Sequence, residues 1–163
     1  MYSAEISKHW RAFSSNVALL QASGRRNRTI LAVLATESFF RPAGVRCIEM
    51  AAWVCLTLVG TRRAETISVG LAQAQVRHWR SAALIDSTTN PLFAIAKFCD
   101  PRANYDACLA VLRPILSTVP TAKIIALLYT GKTTDFHVRV LSDFLELATR
   151  LSAEKFTLTK QRT

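Results

Sequence analysis

Glycine and proline are scarce here, five of each in 163 residues. So few turn formers exclude a sandwich or barrel of many short strands, and the abundant Ala, Leu and Arg favour helices. Long apolar runs are also missing. The most apolar stretch, Met50 to Gly60, is too short to span a bilayer and reads as a core helix. The first residues, MYSAEISKHWRAF, hold no apolar leader core, so no secretory signal is expected. Acid is in short supply: 11 Asp and Glu stand against 21 Lys and Arg, a formal net charge of +10. That field draws the chain toward a polyanion, and nucleic acid, an anionic membrane and the bacterial cell wall all qualify. The basic residues are spread from Arg25, Arg26 and Arg28 through Arg62, Arg63, Arg77 and Arg80 to Lys155, Lys160 and Arg162. No Lys/Arg block of five or more occurs, which excludes a localisation-type tract.

Four cysteines occur, Cys47, Cys55, Cys99 and Cys108, with no CxxC pair and no histidine at zinc spacing. A zinc site is therefore not expected, and neither a metal nor a cofactor is called for. Two readings of the thiols stand: small buried hydrophobes, or two disulfides of undetermined pairing in an oxidising compartment. His9 and His137 are isolated in the sequence, so a Ser/His/Asp triad has no support. His78, Trp79 and Trp53 read as packing or surface residues.

Hydrophobic spacing then organises the chain. Ser3 to Leu20 reads as a first helix, with Ile6, Trp10, Phe13 and Val17 on one face. A second runs from Asn27 to Phe39 and carries Ile30, Val33, Leu34 and Glu37 at i, i+3, i+4 and i+7. Arg41-Pro42-Ala43-Gly44 stops it. An apolar helix follows over Val45 to Val59, then a polar connection from Thr61 to Val69 with short extended structure, then a segment from Gly70 through Trp79. Leu92 to Phe98 is a short apolar helix. Asp100-Pro101 reads as an N-cap and first-turn proline for a helix that carries Tyr105, Leu109, Leu112 and Leu116 on one face, with Pro114 kinking its end. Thr121 to Thr130 and Thr134 to Ala153 complete the set, the last with a stripe of Phe136, Val140, Phe144, Leu147 and Leu151. The expectation is one all-α domain of seven to nine helices around a central apolar helix, with a flexible tail over 157–163.

Glu37 is the most informative residue. A carboxylate on the apolar face of a helix is costly to ionise, and a raised pKa lets it donate a proton near neutral pH. A glycosidic general acid needs that environment.

Four strings give the residue a context. Ala35-Thr36-Glu37-Ser38-Phe39-Phe40-Arg41-Pro42 resembles the first motif of the lytic transglycosylase and goose-type lysozyme superfamily, a Glu-Ser pair ending a helix. Ser68 to Gln73, Ser-Val-Gly-Leu-Ala-Gln, resembles the second, usually Gly-Leu-Met-Gln. Asp100-Pro101-x-x-Asn104 is similar to the stretch that precedes the family's core helix. Ala126-Leu127-Leu128-Tyr129-Thr130-Gly131 resembles the third, typically Ala-x-Tyr-Asn-x-Gly. The strings occur in the family's order over Ile30 to Val140. Ala72 departs from the usual Met, and Thr130 from the usual Asn. A long gap between Glu37 and Gly70 resembles the branch found in conjugation and phage enzymes.

The resemblance implies a lysozyme-like domain with its catalytic core over 27–153 and 1–24 as an N-terminal helix. It implies cleavage of the β-1,4 bond between N-acetylmuramic acid and N-acetylglucosamine. Glu37 would protonate the glycosidic oxygen. The substrate's N-acetyl group and C6 hydroxyl would complete an anhydro ring, a substrate-assisted exception to the two-carboxylate scheme. Ser38 and Gln73 would orient Glu37 or bind sugar, and Tyr129 and Thr130 would lie beside the carboxyl or the ring. A hydrolytic lysozyme would need a second carboxylate, for which Glu65 is the candidate. Glu49, mid-helix, is expected to pair with Arg46. Peptidoglycan strands are the expected partner, with a cognate inhibitor or immunity protein as a second. Nucleic acid and a membrane span are not expected, although a basic wall- or nucleic-acid-binding helical protein without activity is the rival reading. Action in the periplasm or on the wall without a leader implies export through a secretion system or by phage lysis.

Overall fold

Asparagine and aspartate set the starts of the best-defined helices. The Asn27 side chain accepts from the backbone N–H groups of Thr29 and Ile30, at 3.0 and 3.3 Å, and so opens the helix that carries Glu37. Asn90 and Asp100 do the same for two later helices, each followed by proline in the first turn. A computed structural model of the chain describes residues 4–86, 88–118, 120–130 and 134–160; the side chains of 128, 130 and 151–160 lie outside that description.

Among the described residues there are eight α-helices: α1 (Ala4–Ala22), α2 (Arg28–Phe40), α3 (Ala43–Leu58), α4 (Val76–Ser81), α5 (Pro91–Cys99), α6 (Pro101–Leu116), α7 (Ala122–Thr130) and α8 (Asp135–Lys160). A 3-10 turn, Arg62–Thr66, leads into a two-residue antiparallel ribbon of β1 (Ser68–Val69) and β2 (Ala74–Gln75). Ser68 pairs with Gln75, and Val69 with Ala74. The protein is a single all-α domain, and none of its described helices is long and apolar enough to cross a membrane.

The central element is α2. Every residue from Ile30 to Ser38 is buried, and the helix packs against α8, α6 and α1. The α1 stripe of Ile6, Trp10, Phe13, Val17 and Leu20 closes one side. By contrast α3, mostly apolar in sequence, buries only Trp53 fully. Trp53 meets the Phe98 ring of α5 edge-on, with the centroids 5.0 Å apart.

Several expectations shift. The last helix continues past Ala153 to Lys160, so the backbone is helical through most of the tail; 161–163 lie outside the described residues. Its buried stripe is His137, Val140, Leu141, Phe144 and Ala148, whereas Phe136 is exposed. The His137 imidazole stacks on Phe40 at 3.9 Å between centroids, so a polar ring takes the inner place that the pattern gave to Phe136. Pro114 lies in the last turn of α6, which runs on to Leu116. All four cysteines are free, and only Cys108 is buried; the other three sit on exposed helix faces rather than in the core.

Candidate active site

Glu37 occupies the last turn of α2, with only 6% of its surface exposed. It lines a small cavity together with Thr36 of its own helix, Ile125 and Tyr129 of α7, and His137 and Leu141 of α8. The cavity leaves about 10 Å³ for a water's centre, enough for one molecule. Burial, followed by the nearby Cys108 and Glu37 groups, pushes the Tyr129 hydroxyl well above its usual range, so it stays a donor. Burial and Glu37 likewise push the Cys108 thiol up, which keeps it protonated and inert.

The Tyr129 hydroxyl donates to the carbonyl oxygen of Ala72, in the turn between β1 and β2. Asn104 holds the same turn from the other side. Its Oδ1 accepts from the Ala72 N–H at 2.9 Å, and its Nδ2 donates to the carbonyls of Phe98 and Asp100 at 2.8 Å each. Asn104 is completely buried, so these bonds form away from competing water. The turn is pressed so close that a Cβ on Gly70 would lie 2.3 Å from Asn104 Oδ1 and 2.8 Å from the Phe98 carbonyl. Gly70 also has φ +76°, so glycine is required twice over.

Gln73 ends the turn with φ +52°, an uncommon conformation for a side chain of its size. Its Nε2 donates to Glu49 Oε2 at 2.8 Å and to the Gly70 carbonyl at 3.0 Å. The second oxygen of Glu49 is bound by the Arg41 guanidinium. Glu49 therefore does not pair with Arg46, three residues earlier on α3; Arg41 reaches it from the α2–α3 corner and Gln73 from the turn between β1 and β2. Arg41 also caps α2, its backbone N–H donating to the Glu37 carbonyl at 3.0 Å.

The remaining site residues divide. Ser38, buried beside Glu37, donates its one hydroxyl hydrogen to the Ala35 carbonyl at 2.9 Å. His9 Nε2 of α1 is therefore the donor in its 2.7 Å contact with Ser38 Oγ. Glu65 lies in the 3-10 turn and pairs with Arg80 of α4 at 2.6 Å; it does not line the Glu37 cavity. The side chain of Thr130 lies outside the described residues. Sequence reasoning missed His9, His137 and Glu49, because each reaches the site only through tertiary packing.

Three of the four strings thus meet at one turn, and the fourth shares a cavity with Tyr129. Among the described residues no cluster of three His, Cys, Asp or Glu could hold a metal ion. No protein-family model, curated protein or solved structure matches the chain.

Proposed function

We propose that this protein cleaves the glycan strands of bacterial peptidoglycan on a lysozyme-like domain, as a lytic transglycosylase with Glu37 as its only essential acid. One observation carries the proposal. The turn Gly70–Gln73 is tied at Ala72 by Asn104 and by Tyr129, and Tyr129 faces the same cavity as the buried Glu37 carboxyl. Residues far apart in sequence thus meet at one turn, and Tyr129 joins that turn to the cavity of a carboxyl that is buried at the end of α2.

In this mechanism the protonated Glu37 gives its proton to the bridging oxygen between the amino sugars as the glycosidic bond breaks. The neighbouring N-acetyl group shares the positive charge on the anomeric carbon. The Glu37 carboxylate then takes the proton of the C6 hydroxyl, whose oxygen closes the anhydro ring, and Glu37 is restored. With room for one water, the cavity must widen as a strand enters. Glu65 favours this route over hydrolysis, being engaged by Arg80 away from the cavity. Glu49 reaches the turn through Gln73, but Arg41 and Gln73 occupy both of its oxygens.

The basic character supports the same choice of substrate, since wall polymers are anionic and the chain is at +10. The reaction is tested by the clearing of purified cell walls by the wild type and by Glu37→Gln. The wild type should clear them and the variant should not. A wild type that leaves walls intact, or a variant that clears them equally well, refutes the proposal.

A further inference from the structure

A second depression lies one residue along α2 from the acid. Successive helix residues point about 100° apart, so Ser38 faces away from the Glu37 cavity. It looks into a groove of about 280 Å³ between α1, the end of α2 and the start of α3. His9 and Asn16 come from α1, Ser38 and Phe39 from α2, Arg46 from α3, and Leu71 from the turn that Asn104 and Tyr129 hold. The volume lies near the lower end of small-molecule sites and matches one sugar ring rather than a peptide or a duplex.

The charge of the groove is one-sided. Among the described residues no Asp or Glu lines it. Arg46 is half-buried, and one of its nitrogens donates to the Arg41 carbonyl at 2.5 Å, which fixes the guanidinium in place. Its natural acid on α3, Glu49, is taken by Arg41 and Gln73. Among the described residues Arg46 therefore has no ion-pair partner. A guanidinium has five N–H donors in a planar fork that fits a carboxylate with two parallel bonds. Phe39 and Leu71 supply apolar walls, and Asn16 an amide.

We propose that this groove binds a carboxylate-bearing amino sugar, with Arg46 taking the carboxylate and Ser38, His9 and Asn16 bonding the sugar's hydroxyl or amide groups. The assignment rests on the proposed function, in which one of the two alternating sugars, N-acetylmuramic acid, carries a lactyl carboxylate and the other, N-acetylglucosamine, does not. Ser38 is the residue after Glu37 on α2, and Leu71 belongs to the turn Gly70–Gln73. The groove would hold a carboxylate-bearing sugar of the strand beside the end of α2, apart from the Glu37 cavity. His9 belongs to the same recognition. Burial, and to a lesser extent the Arg46 cation, lowers its pKa against a bond to the Ala35 carbonyl that raises it, and its Nε2 lies 2.7 Å from Ser38 Oγ.

The test uses binding rather than turnover. Nitrogen-15 spectra of the Glu37→Gln protein, with the Arg46 side-chain and His9 ring signals followed, are recorded on titration with N-acetylmuramic acid, N-acetylglucosamine and lactate. N-acetylmuramic acid should shift both sets of signals at concentrations where the other two do little. Arg46→Gln should weaken that binding about tenfold or more and leave any response to N-acetylglucosamine unchanged. An equal response to both sugars makes the groove a neutral-sugar site and overturns the carboxylate assignment. An equal response to lactate makes it a small-anion site, and no response overturns it altogether. Binding of N-acetylmuramic acid by a protein that cannot clear walls would leave the groove standing and remove the enzyme. Clearing without this binding does the reverse.

Discussion

The hydroxyl of Tyr129, at the end of α7, donates to the carbonyl of Ala72, 57 residues earlier in the chain. The bond links the turn Gly70–Gln73 to the wall of the Glu37 cavity, and burial keeps the phenol protonated so that it persists at alkaline pH. Tyr129→Phe keeps the ring and deletes the bond. It should cost about 1–2 kcal/mol of stability and slow wall clearing, because the turn loses one of its two anchors. Chemical denaturation beside a clearing assay checks both; a variant with wild-type stability and rate contradicts the coupling.

Asn104 is the other anchor and should matter more. Asn104→Ala leaves the Ala72 N–H and the Phe98 carbonyl without their side-chain partner in a completely buried place, while the Asp100 carbonyl keeps the backbone N–H of residue 104. A loss of about 3 kcal/mol or more is expected, read as a lower denaturation midpoint at unchanged slope. Gly70→Ala should be comparably damaging, since its Cβ would sit on Asn104 Oδ1 in a left-handed backbone. A mild effect of either would show that the turn is not held as described.

Glu49 and Glu65 should behave differently. Glu65 and Arg80 are each about a third exposed in their side chains, 31% and 33%, so the pair is worth at most about 1 kcal/mol. Glu65→Gln should clear walls at the wild-type rate. Glu49→Ala frees Gln73 Nε2 and Arg41 together. It should raise KM about tenfold with a smaller change in kcat, as a positioning residue does. A folded but inert Glu65→Gln protein would restore the two-carboxylate hydrolase.

Acid should destabilise the fold through two histidines. Burial holds the pKa of His9 and of His78 below 6.5, so each is neutral in the folded protein. The unfolded chain takes up the protons first. Stability is therefore full above about pH 6.5 and is lost as pH falls through the lower folded values. Denaturation midpoints should be flat from pH 8 to pH 7, roughly, and then fall. His9→Gln should make the fall shallower, and an unchanged slope would show that His9 is not held neutral.

Local signals in the sequence were enough for the helices, whose starts follow from Asn27, Asn90 and Asp100 and whose stripes follow from spacing. The short extended structure expected over Thr61 to Val69 is β1, Ser68–Val69, but its pairing with Ala74–Gln75 was out of reach, because two residues a side are too few to show a period of two. The strings drew attention to Glu37, Ser38, Gln73 and Tyr129. Their partners were not legible, since charge spacing along α3 pointed Glu49 at Arg46, while the corner at Arg41-Pro42 swings a closer cation into place. His9 and His137 looked isolated because α1 and α8 reach α2 only in the fold.

The most direct measurement is mass spectrometry of the soluble muropeptides released from purified walls by the pure protein. Fragments ending in 1,6-anhydro-N-acetylmuramic acid, abolished by Glu37→Gln and retained by Glu65→Gln, are the predicted result. General acid catalysis of this kind is worth about 10²–10⁴-fold in rate, so the loss should be near complete. Walls that release no fragments, or release the same fragments from Glu37→Gln, would contradict the assignment of this chain as a glycan-cleaving enzyme acting through Glu37.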